Sequence, residues 1–551
     1  MRTTQKLVFA AICGCLSACL QLPCRAQEVR QESAVYTFFG REEDLSEEEL
    51  LRIEALLAHP VRLNSAGRGE LMDSGLFTPY QAASVVDYRQ RLGDILSVTE
   101  LSLVDGIGDY LASALAPFLS FAPGGGAQKQ PASGSVLGRF QWKDGKQAWA
   151  SRLLYKNGSA DAALAARTVY SDASLFPPSG KAFYAGWSRG RLKVVAGSMN
   201  LRFGQGLAQW SGLSLAGVTS PLSLYKRGSP LSGSYSCSGT ARRGLAATLT
   251  FGRFMITPFY CFSGPKGGNL TWLLPSGQAG LTATAEAVSA DGRFCLAGKD
   301  VFAEACWEPS SRAVAALGGA VFPIGGRSRI GFQIRAYPKS FTGKYAGSVR
   351  TWSKVSDEAG LSLSFGRGDL SIAADAAMRY SKDNKQLKIS ASDVLKLSRS
   401  LNLKLRATAR RKNFGSDRVR TDLRADLCLR RPGLGLNWRG NWVHSAKNGL
   451  LTYLEAAFER ESQGVLWLRA TLFSAEKWAD RLYSYERDAP GSFLIPAYYG
   501  NGYALSAYMN WKLRLGRRSK LAFYLRASCT GYWKKKKPSV PEIRFATAFS
   551  F

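Results

Sequence analysis

Two periodicities divide the chain. Between Arg41 and Phe121 apolar residues recur at helical spacing, whereas from residue 136 to Phe551 they alternate with polar ones at every second position. In the first region Ser46 and Glu49 form a capping box ahead of a stripe of Leu50, Ile53 and Leu57, which Pro60 ends. Leu63-Asn64-Ser65-Ala66 starts a short helix through Glu70 and Leu71. After the turn Ser74–Thr78, Pro79 opens a helix with Ala82, Val85, Val86 and Tyr88 on its apolar side. Ser97 and Glu100 make a second capping box, leading through Leu101 and Val104 into the turn Gly106-Ile107-Gly108 and a last helix ending near Leu119. The predicted unit is two helix-turn-helix hairpins in tandem.

The second region repeats one design. Leu401, Leu403, Leu405, Ala407 and Ala409 face one way while Asn402, Lys404, Arg406, Thr408 and Arg410 face the other, and the pattern recurs over residues 418–430, 503–514 and 520–528. Runs of about ten residues with one apolar and one charged face mark a transmembrane β-barrel. Soluble strands are about half that length. At the C-terminus Ile543, Phe545, Thr547, Phe549 and Phe551 share a face, which resembles the last strand that bacterial outer-membrane barrels present to their assembly machinery. The expected fold is therefore mainly β: a large antiparallel barrel over residues 136–551, with a small all-α domain over 41–121. At roughly 20 residues per strand and turn, about 20 strands fit. An even number places both barrel ends, and so the helical domain, on the periplasmic side, and turns Trp533–Pro538 with its four lysines outward toward lipopolysaccharide.

Charge adds a second contrast. The chain carries a formal +32, yet Arg41–Phe121 holds six arginines and no lysine against fourteen acidic residues, a net of −8. Beyond Phe121, 63 basic and 25 acidic groups give +38. Much of this positive charge falls at lumen-facing positions, Lys404, Arg406, Arg420, Arg424 and Arg439 among them, because a lipid-facing cation at mid-membrane costs about 2 to 4 kcal/mol. Such a lumen favours anions. Residues 122–135 read as a flexible linker reaching on the order of 45 Å, so the acidic domain can dock on the basic barrel as a plug or gate.

Residues 1–26 read as an export signal, with Leu16-Ser17-Ala18-Cys19 as an alternative lipidation site. The six later cysteines are scattered and define neither a zinc site nor a disulfide framework. With only His59 and His444 present, no metal, cofactor or enzymatic centre is expected; His444 and Ser445 are neighbours that a strand would point to opposite faces. The segments 201–207 and 481–491 read as barrel turns or inward-folded loops with satisfied ion pairs.

Leu63-Asn64-Ser65-Ala66, Val85-Val86-Asp87-Tyr88-Arg89, Ser97-Val98-Thr99-Glu100-Leu101 and Val104-Asp105-Gly106-Ile107-Gly108 together resemble the tandem helix-hairpin-helix domain of the competence protein ComEA family. The resemblance covers about sixty residues. It implies non-sequence-specific DNA binding through hairpin backbone amides, with Gly106, Ile107, Gly108 and Gly75 as phosphate-facing positions. Phe77 and Thr78 replace the family's second glycine in the first hairpin, and Asp105 and Asp109 flank the second turn, where a helix N-terminus would otherwise favour phosphate. Two functions follow as expectations. One is binding or handling of DNA at the cell envelope. The alternative is an anion-selective or gated channel whose acidic helical domain is a plug or a contact for periplasmic proteins.

Overall fold

The computed structural model describes residues 47–551 except 125–131, 172–175, 213–216, 238, 240, 326, 383, 413–418, 461–463, 493, 517–518 and 534–538. The expected export signal, Ser46 of the first expected capping box, most of the expected linker and the lysine run lie outside the described residues.

The N-terminal region folds as predicted into short helices: α1 (Glu47–Ala58), α2 (Arg68–Asp73), α3 (Pro79–Leu92), α4 (Val98–Ser102) and α5 (Gly108–Leu115). Leu63, Leu71, Leu76, Phe77, Ile95, Leu101 and Phe118 form its dry centre. Asn64 locks the unit: its amide donates to the carbonyls of Ile95 (2.9 Å) and Ala122 (3.0 Å) and accepts from the Ile95 N–H (2.8 Å). A two-residue parallel ladder, Val61–Arg62 with Leu119–Ser120, ties the domain's beginning to its end.

Among the described residues, twenty-four antiparallel strands close into a barrel, beginning at Ser133 and ending at Ser550. The count exceeds the expected twenty because many hairpins turn in only two residues, as at Asp144-Gly145, Gly190-Arg191 and Gly252-Arg253. A short extra strand, Leu231–Gly233, pairs with the tip of Leu192–Leu201. The last strand, Val540–Ser550, pairs with the first, Ser133–Lys143, and Phe551 exchanges backbone hydrogen bonds with Gly134.

The barrel is built inside out relative to a soluble protein. Outward positions such as Leu164, Phe183, Leu245, Ile334 and Leu454 are exposed, while Arg293, Glu304, Arg335, Glu455 and Arg526 are buried within. An apolar band surrounding a polar interior suits lipid outside and water or protein inside, the architecture of an outer-membrane barrel. With every neighbour antiparallel, the long excursions 168–179, 202–241, 338–357 and 476–499 all leave the end opposite the termini. That asymmetry, short turns at the terminal end and long loops at the other, identifies the periplasmic and external sides.

Candidate functional site in the occupied lumen

The helical domain sits in the terminal-side mouth of the barrel and binds its inner wall. The Tyr80 N–H donates to the Gln278 side chain (3.0 Å) and the Tyr80 hydroxyl to the Pro275 carbonyl (3.0 Å). Arg293 donates to the Thr78 hydroxyl (3.1 Å) and Arg329 to the Ile107 carbonyl (3.5 Å). Asp300 pairs with both arginines, at 2.8 and 3.3 Å, and so aims them at the two hairpins. Nearer the rim, Lys193 pairs with Asp73 (2.6 Å) and Lys156 with Glu70 (3.4 Å). Leu222 and Met255 of the barrel belong to the same buried cluster as the domain's core.

The four hairpin positions lie against neighbouring side chains. Gly106 and Gly108 hold left-handed φ of 78° and 69°, a conformation that costs any L side chain. A Cβ at Gly106 would lie 2.8 Å from the Tyr80 ring, and one at Gly108 would lie 2.5 Å from the Arg329 guanidinium. Ile107 is buried, and Gly75 abuts Arg52. In the first hairpin Thr78 explains the missing glycine. It caps α3, accepting from the Gln81 N–H (3.2 Å) while Gln81 accepts from its own (3.1 Å), and it receives Arg293. Both hairpin turns face protein.

The lumen cations form ladders. Arg424 and Arg439 share Asp426, with Arg424 at 2.8 Å, and Arg439 also stacks over Tyr453. Arg420 donates to the carbonyls of Ala479 and Arg481, anchoring a loop. Lys404 stands across the strand from Asp426, and Arg406 from Arg424. The neighbouring pairs Lys388–Arg410 and Arg410–Arg420 extend the basic strip.

From the other end, the long loops fold inward onto buried carboxylates that periodicity alone did not single out. Glu304 accepts from the N–H groups of Gln205 (2.6 Å) and Leu207 (3.2 Å), and Glu308 from those of Thr342 (2.7 Å) and Gly343 (2.9 Å). Glu486 pairs with Arg526 and Asp488 with Arg544, so 481–491 is an inward-folded, ion-paired loop as expected. The available signal was the spacing Asp300, Phe302, Glu304, Cys306, Glu308, which puts three carboxylates on one inward face. His444 hydrogen-bonds Asn448, while the Ser445 N–H donates to Asp480. All six described cysteines are free thiols.

Two ionisable groups at the meeting of domain and loops are perturbed. Glu54 of α1 is pushed up to about 7 by burial, partly offset by the Gly491 N–H and by Arg152, with Asp488 adding repulsion. Lys226 is pulled down to about 8, first by burial and then by Arg350 and Arg202, with Glu49 of α1 opposing.

Fold and site together define an outer-membrane β-barrel with a helix-hairpin-helix region docked in its terminal-side mouth. Residues 58–120 match the family model described as a helix-hairpin-helix motif. No curated protein sequence gives a significant match. Solved structures similar to the chain include OprD of Pseudomonas aeruginosa (10% identity, 76% of this chain and 94% of that one, TM-score 0.32). They also include P. aeruginosa OpdK with vanillate (9%, 76% and 98%, 0.31) and Acinetobacter baumannii OccAB2 (9%, 76% and 98%, 0.32). Scores this low carry no weight for substrate, lumen or strand number.

Proposed function

We propose that the protein is a gated outer-membrane channel for anionic solutes in which the acidic helix-hairpin-helix domain is the plug. The observation that carries this reading is the docking of both hairpins on inward-facing wall residues, through Arg293 and Arg329 held by Asp300. The basic strip from Lys388 to Arg439 supplies a path that favours anions. The test is conductance of the full chain in planar bilayers beside the Arg293→Ala/Arg329→Ala double variant. The wild type is expected to rest closed, and the variant to open with a reversal potential set by chloride. A variant whose domain has become protease-accessible yet passes no current, or passes cations preferentially, would overturn the reading.

A second reading, DNA handling, is supported by the family-model match over residues 58–120. It requires the domain to leave its seat, since Gly108 and Ile107 now lie against Arg329. Duplex binding by the full chain across a salt series, with a steep slope and loss on Gly106→Glu, would favour it over the plug.

A further inference from the structure

One carboxylate faces the wrong way for this barrel. In the strand Lys385–Lys396, Gln386, Ser390 and Ser392 are buried toward the lumen, while Leu387, Ile389 and Leu395 are exposed toward lipid. Asp393 has the parity of the second set and stands across from Leu405, itself exposed. Among the described strand residues it is the only carboxylate on the outward face; Asp300, Glu304, Asp426 and Glu455, for example, are buried within. Its carboxylate accepts the Val394 N–H (2.8 Å), and among the described residues no cation pairs with it. Lys396, the nearest basic residue in sequence, pairs with Asp369 instead (3.2 Å). A carboxylate facing hydrocarbon without a counter-charge is costly. Asp393 also lines a groove of about 440 Å³ on the lipid side of the wall. Ala391, Ala407, Ala425 and Gly440, on four consecutive strands, make its floor, and Leu405 and Leu423 stand beside them. The groove climbs across the membrane. At the Asp393 end it includes Leu370, the first residue after the terminal-side turn Gly368-Asp369, and at the other end Leu450, the third residue of a strand descending from the external side.

We propose that this groove binds one phospholipid of the periplasmic leaflet whose headgroup carries a primary ammonium, with the ammonium on Asp393 and an acyl chain along the alanine and glycine floor. Three observations converge on that occupant. The first is sign: the carboxylate attracts a cation and repels the phosphates of lipopolysaccharide, and a primary ammonium offers N–H donors as well as charge. The second is direction. The charged end lies toward the terminal side of the wall and the apolar end climbs away from it, as the head and tail of a lipid in that leaflet must. The third is size. A methylene fills about as much space as a water, roughly 30 Å³, so the groove holds about fifteen methylenes, close to one acyl chain. A lipid seated there would bridge the strands from Leu370 to Leu450 on their outer face. The site lies outside the lumen, so it holds or fails independently of the channel reading.

The experiment is native mass spectrometry of the full chain, stripped of lipid in detergent and titrated with dipalmitoyl phosphatidylethanolamine, or with phosphatidylglycerol or phosphatidylcholine of the same chains. One phosphatidylethanolamine is expected to bind, about tenfold tighter than phosphatidylglycerol. Phosphatidylcholine, whose quaternary ammonium has no N–H to donate, should fall between them. Asp393→Asn is expected to lower phosphatidylethanolamine to the phosphatidylglycerol level, and Asp393→Glu to keep the preference. Ala407→Trp fills the floor and should weaken binding of all three lipids. A retained mobility shift on unheated gels shows that each variant is a closed barrel. Equal affinity for the ethanolamine and glycerol lipids in wild type, an ethanolamine preference that survives Asp393→Asn, or undiminished binding by Ala407→Trp would overturn the site. So would a second protein chain retained in place of lipid and lost in Asp393→Asn, which would assign the carboxylate to a protein cation.

Discussion

At the scale of single residues, Glu54 and Asn64 make opposite demands on the plug. The Glu54 carboxyl rises from 4.5 to about 7 chiefly because burial disfavours its charge. The seated plug therefore holds this proton more tightly than a released one. Stability from that source is complete below pH 4.5 and is lost as pH rises through 7, in total about 3 kcal/mol. Seating should weaken between pH 5 and pH 8, and Glu54→Gln should flatten the dependence, read as the rate of proteolysis within α1. A pH profile unchanged by Glu54→Gln would show that burial of this group is not what the pH change senses. Asn64 works through hydrogen bonds. Its three bonds join the first turn, the α3–α4 connection and the exit to the linker. Asn64→Ala leaves the Ile95 N–H and C=O unpaired in a buried site, at about 1 to 3 kcal/mol each group. Exchange protection of the Ile95 amide should fall in that variant while barrel amides keep theirs.

Among elements, the two hairpins and the strands that hold them are coupled by one carboxylate. Asp300 sits almost fully buried between Arg293 and Arg329, and those guanidinia reach Thr78 and Ile107. Removing one partner of a buried ion pair costs about 3 to 5 kcal/mol, because the remaining charge is left without compensation. Asp300→Ala should therefore release both hairpins together, seen as simultaneous loss of protease protection at the turns Ser74–Thr78 and Val104–Gly108. Protection lost at one turn only would show that the arginines act independently. This coupling also marks the limit of what periodicity can reveal. Alternation at Leu401–Arg411 exposed the barrel, its lipid face and the inward cations, because each strand repeats the same two-residue rule. The Arg329–Ile107 contact joins positions 222 apart, and no local pattern encodes it. The hairpin glycines were legible as turn formers because φ near +70° demands them. What those turns pack against was not, since the Tyr80 ring beside Gly106 and the Arg329 guanidinium beside Gly108 come from other parts of the chain. Strand number was missed for a local reason as well: two-residue hairpins leave almost no linker between alternating runs.

For the whole molecule, the opposition of a −8 domain and a +38 barrel made docking predictable, yet the contacts divide that attraction unequally. Ion pairs such as Lys193–Asp73 and Lys156–Glu70 link plug to wall at the rim, and the second has both side chains about half exposed. Exposed pairs contribute about 0 to 1 kcal/mol and are screened by salt. Deeper in, the plug is held by Leu222 and Met255 within its apolar cluster and by Arg293 and Tyr80 hydrogen bonds, which salt reaches poorly. Opposite charge should thus speed and orient seating more than it secures it. Raising sodium chloride from 0.05 to 0.5 M, about a threefold fall in screening length, should increase plug proteolysis only a few-fold. Asp73→Asn/Glu70→Gln should reproduce most of that increase at low salt and be insensitive to further salt. If high salt instead frees the plug as completely as Asp300→Ala, long-range attraction rather than the buried contacts keeps the lumen closed, and the gate would answer to ionic strength before any ligand.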